Sequence, residues 1–83
     1  MKYFIVEKVF CDKLNHEWCK IDILHKELEW QIASIELNKI HDYILNDSDY
    51  KITYWDSMQL VVEIIRNANG IENPRVIKKY QII

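Results

Sequence analysis

Residues 51–70 read KITYWDSMQLVVEIIRNANG, and the path of the chain through Asp56 decides the fold. Lys51–Trp55 is a short run of β-branched and aromatic side chains, which predicts a strand. Asp56 or Ser57 is then a helix N-cap, and with Asp56 in that place Gln59, three residues on, completes the pattern of a capping box. Met58, Val61, Val62 and Ile65 recur at helical spacing against a polar set of Gln59, Glu63, Arg66 and Asn67. Gly70 ends the pattern and Pro74 prevents its resumption. On this reading residues 57–69 are a helix, and the flanking elements arrange themselves around it.

Upstream, KYFIVEKVFC (2–11) is rich in aromatic and β-branched residues and predicts a strand. Tyr3, Ile5 and Val9 lie on one side. Phe4, Val6 and Phe10 lie on the other, interrupted by Lys8. Two apolar faces suit an inner strand. Asp12–His16 is polar and turn-like, and EWCKIDILH (17–25) alternates cleanly. Cys19, Ile21 and Ile23 point one way, Trp18, Lys20 and Asp22 the other, as in a half-buried strand closing a hairpin. Residues 26–45 carry the Leu, Glu, Lys, Ala and Gln of a helix, which Asn46–Asp49 stops. RVIKKYQII (75–83) is a last strand. The expected fold is one α+β domain over residues 1–83 in the order ββαβαβ, a four-stranded sheet with two helices packed on one face. Its helical crossovers are right-handed wherever they join parallel strands.

The first helix carries more apolar surface than a surface helix needs. One stripe is Leu28, Ile32, Ile35 and Tyr43. The other is Trp30, Ala33, Leu37, Ile40 and Ile44. Trp30, Leu37 and Ile44 repeat every seven residues and share a face. With Ala33 and Ile40 they are expected to contact another protein or a second copy of the chain, rimmed by Glu29, Glu36 and His41. The competing expectation is that the second helix covers this stripe within the monomer.

Composition removes several classes of function. Eleven Lys and Arg stand against thirteen Asp and Glu, a net charge of -2, which is not the basic balance of a duplex-binding protein. One glycine and one proline cannot build a phosphate loop or a dinucleotide fingerprint. Cys11, His16, Cys19 and His25 lack the paired-ligand knuckle of a zinc site, so no metal and no cofactor are expected. Neither thiol is marked for nucleophilic chemistry beside a histidine, and none of the candidate residues forms a readable triad. Glu29 and Glu36 read as a solvated ridge, not an acid–base pair. Asp47 and Asp49 lack the pattern of a calcium loop. No run is long enough to span a membrane, no leader is apparent at the start, and two cysteines suit a reducing compartment, so the cytoplasm is expected.

What remains is a non-enzymatic protein-binding module, of the kind of a small inhibitor, immunity or antitoxin-like accessory protein of a virus or mobile element. The alternative is a small nucleic-acid or nucleotide-binding domain that uses an open sheet face, with Trp18, Lys20, Tyr54 and Tyr80 as the aromatic and cationic groups. The two separate on that face: a lysine band with exposed aromatics favours nucleic acid, an apolar patch favours protein.

Overall fold

The computed structural model describes residues 1–11, 18–65 and 76–83. The polar turn expected at Asp12–His16, and Gly70 with Pro74, lie outside the described residues. The element order is β1 Tyr3–Cys11, β2 Trp18–Leu28, α1 Trp30–Leu45, β3 Tyr50–Trp55, β4 Gln59–Ile64 and β5 Val76–Ile82. The strands form one sheet in the order β2-β1-β5-β4-β3, and every neighbouring pair is antiparallel. The molecule is therefore a small α+β domain, but with a five-stranded antiparallel sheet and one helix among the described residues. The expected four-stranded sheet under two helices, and its parallel crossovers, are not what forms.

The difference arises at Asp56. Its carboxylate accepts hydrogen bonds from the backbone N–H groups of Met58 (2.7 Å) and Gln59 (2.9 Å), the bonds a helix N-cap would make. Here they close a tight turn instead, because the Asp56 N–H donates back to the Gln59 carbonyl at 3.0 Å. An aspartate that satisfies nearby backbone donors in this way is equally an Asx-turn residue. The side chains after the turn decide between the two outcomes. Val61, Val62, Ile64 and Ile65 are β-branched, stiff in a helix and well suited to a pleated surface. Residues 59–64 are accordingly β4, while 66–69 of the expected helix lie outside the described residues.

The first helix is shorter than its sequence pattern. Strand β2 continues to Leu28, paired with Tyr3. Glu27 adopts a φ of 54°, a left-handed conformation inside β2, where the register against β1 shifts between the pairs Ile5–His25 and Tyr3–Leu28. Glu29 is the N-cap residue but makes no side-chain cap bond; it pairs with Lys2 instead. With no acidic residue in the first turn and no basic residue in the last, α1 owes its stability to packing rather than to its ends.

Sixteen residues of helix span about 24 Å, while four interstrand gaps span about 19 Å. The helix is thus long enough to cross the sheet obliquely from one edge, β2, to the other, β3. Paired residues share a face, so Ile5, Ile82, Tyr80, Leu60 and Val62 all point toward the helix. With Ala33, Leu37 and Ile44 they make the buried core, and Tyr3, Leu28, Ile40, Tyr50, Ile52 and Trp55 pack around it. Ala33 is fully buried and lets the helix approach the sheet closely. Strand β1 is an inner strand with β2 and β5 on either side, as its two apolar faces require. No described helix is long and apolar enough to cross a membrane.

Candidate protein interface

The stripe expected to bind a partner is divided by the fold. Ala33, Leu37 and Ile44 are buried against the sheet, and Ile40 is packed beside them. Neither another helix nor another molecule is needed to cover them. Trp30 keeps 38% of its surface exposed and sits edge-on to Tyr3 at 5.3 Å between ring centres. The rim residues have intramolecular partners too. Glu29 pairs with Lys2. Glu36 reaches both His25 (3.6 Å) and Lys39 (3.2 Å). His41 stacks on Trp55 at 4.3 Å and contacts Asp42. The exposed apolar residues of the helix include those of the other stripe, Ile32, Ile35 and Tyr43.

A second surface, apolar with lysines across its middle, lies on the sheet face opposite the helix. The pairings Val6 with Ile23 and Gln81, Lys8 with Ile21 and Lys79, Lys79 with Val61, and Val61 with Tyr54 run straight across all five strands. Phe4 with Ile83 and Phe10 with Ile77 extend this face at its two ends. Ile21 and Ile23, placed by their alternation toward a core, sit here and are 58% and 53% exposed. The helix side of the same strand carries Lys20 and Asp22, 3.3 Å apart. Among the described paired residues the charges of the open face are Lys8, Lys51 and Lys79 against Glu63. Tyr54 hydrogen-bonds Asp56, which holds the Asp56 carboxyl below its usual range.

The third surface feature is a groove of about 330 Å³ between the helix and the corner of the sheet the helix leaves uncovered. Leu24, Glu36, Lys39, Ile40, Tyr43 and Tyr50 wall it, and Glu7 and Tyr80 form its floor. Lys78 approaches Glu7 at 3.8 Å and lies 6.0 Å above the Tyr50 ring. Burial, and then the hydrogen bond to Glu7, raise the Tyr80 hydroxyl far above the ordinary tyrosine value of 10.0. The folded chain therefore keeps this proton where the unfolded chain loses it. The stability Tyr80 contributes is present below about pH 10 and declines as pH rises beyond it, by at most about 1.4 kcal/mol per unit. Urea midpoints measured between about pH 9 and 11 should fall more steeply for the parent chain than for Tyr80→Phe; parallel curves would refute this.

Among the described residues no three His, Cys, Asp or Glu side chains converge to hold a metal. His16 and the side chains of Trp18, Cys11 and Cys19 lie outside the described residues. The open face and the outer stripe of α1 are both expected from the sequence, but not as protein-binding surfaces, and of the residues expected on the open face Lys20 and Tyr80 lie on the helix side instead. The two surfaces share one signal. Apolar residues fill both sides of β1 and two stripes of α1, more than one helix on one sheet face can cover. No family model, curated protein or solved structure matches this chain.

Proposed function

We propose that this chain is a non-enzymatic protein-binding domain that docks through the open face of its sheet. The observation that carries the reading is the character of that face: a band crossing all five strands, with Ile21 and Ile23 as its most exposed aliphatic side chains within the strands. Tyr54, 48% exposed, and the partly buried Phe4 and Phe10 share this face. The side chains that stand out furthest within the strands are nonetheless aliphatic, which bury well against a protein and offer no plane for a base to stack on. The lysines form an adjacent pair, Lys8 and Lys79, with Lys51 set beside Glu63; a nucleic-acid track needs a continuous band. The fitting partner is a protein surface with an apolar centre and carboxylates placed to meet Lys8 and Lys79. An inhibitor, immunity or antitoxin-like role is one form of this reading, in which the covered surface belongs to an enzyme. The cytoplasmic setting that two cysteines suggest belongs to the same proposal.

The test compares variants on one immobilised protein. A partner captured from cells of the source should be retained by the parent chain and by Ile35→Glu on the outer helix. It should be lost about tenfold or more with Ile23→Glu, at an exposed aliphatic position of the patch, and with Lys79→Glu, on its central strand. Capture indifferent to both face variants overturns the reading. Anisotropy titration with single-stranded RNA and DNA decides the alternative: binding that weakens with Lys79→Glu and with salt replaces protein by nucleic acid as the ligand.

A further inference from the structure

The geometry points to a second copy of this chain as the occupant of the β2 edge: we propose that β2 pairs antiparallel with β2 of another subunit across a two-fold axis at Ile21. This concerns the edge strand; it shares Ile21 with the open-face reading but is tested at Lys20 and Asp22, on the helix side. Of the two edges of the sheet, β3 is the shorter, six residues. Both edges carry register slips that blunt them, one along β3 and three along β2, so pairing on β2 is confined to its regular central stretch. Strand β2 is eleven residues long and is hydrogen-bonded on one side only among the described residues. Lys20–Ile23 holds regular register against β1, with shifts only beyond each end of that stretch.

Its side chains are self-complementary. In an antiparallel pair centred on Ile21, each residue faces the one equally distant on the other side of the axis. Ile21 then meets Ile21 of the partner subunit on the open face. On the helix side Lys20 meets Asp22 of the partner subunit, and Asp22 meets the partner's Lys20. Opposite charges directly across a ladder stabilise it, and like charges would break it. A centre one residue on, at Asp22, would set two aspartates against each other, so charge selects the register. A stable interface takes about 800 Å² from each partner, more than one short ladder supplies. The flank of α1 nearest β2, joined to it by the His25–Glu36 contact, carries the exposed Ile32 and Tyr43, and Leu24 is exposed beside it. These residues lie along the same edge and add apolar area to the contact.

Charge reversal tests the pairing. By sedimentation equilibrium the parent chain should be dimeric at ~0.1 mM, where an interface of ordinary size is populated. Lys20→Asp alone and Asp22→Lys alone should each weaken the dimer about tenfold or more. Mixing the two variants should restore a heterodimer, because each then supplies the charge the other lacks. A parent chain that stays monomeric, a dimer that survives both reversals, or a mixture that does not re-associate overturns the pairing. An independent readout needs no variant. Amide exchange along Lys20–Ile23 should slow as the concentration of the parent chain rises, and exchange independent of concentration would count equally against it.

Discussion

Replacing Leu37 by alanine should lower the unfolding free energy by about 3–4 kcal/mol, while Trp30→Ala should cost about half of that. Leu37 is 1% exposed and sits in the cluster formed by Ile5, Leu60, Val62, Tyr80 and Ile82. Truncation there removes buried methyl groups and leaves a cavity between a helix and a sheet that cannot close independently. Trp30 stands at the first turn of α1, 38% exposed, with Tyr3 against one edge. Its loss removes one aromatic contact, worth about 1 kcal/mol, plus part of its buried area. Urea denaturation of the two variants measures both. The seven-residue spacing of Trp30, Leu37 and Ile44 invites reading them as one external contact surface. In that case Leu37→Ala would leave the monomer nearly as stable as the parent and act on association alone. A loss below about 1 kcal/mol at Leu37 would contradict its place in the core.

The elements whose side chains see one environment are legible in the sequence. Strand β1, with apolar residues at every position from Tyr3 to Val6, can only be an inner strand. The helix end at Leu45 is set by the polar run after it. At Asp56 the sequence is degenerate, because the same two backbone bonds serve a helix cap and an Asx turn. The short run carries both patterns at once, Met58, Val61, Val62 and Ile65 at helical spacing and Leu60, Val62 and Ile64 at strand spacing. What breaks the tie is long-range: Leu60 and Val62 pair with Tyr80 and Lys78 on β5, and no window of sequence contains that. The same limit applies to β2. Alternation shows that Ile21 and Ile23 share a side, but not that the helix lies on the other one. The candidate interface was therefore legible as a surplus of apolar residues, and its location was not.

The polar floor of the groove yields the second large effect, through its non-additivity. Glu7→Leu alone should cost about 2 kcal/mol or more. It strands the Lys78 ammonium, whose side chain is only 24% exposed, and deprives the Tyr80 hydroxyl of its acceptor. A fully buried pair would lose more; this one keeps some access to solvent through the groove, which screens part of the loss. The triple variant Glu7→Leu, Lys78→Met, Tyr80→Phe removes all three groups together and leaves none unsatisfied. It should return to within about 1 kcal/mol of the parent, since apolar residues of similar volume replace a desolvated polar cluster without loss. Denaturant melts of the single, double and triple variants complete the cycle. Recovery in the triple variant means that Glu7, Lys78 and Tyr80 mainly compensate one another's desolvation. Additive losses, with the triple variant the least stable of the set, would instead make the cluster a net stabilising element of the fold.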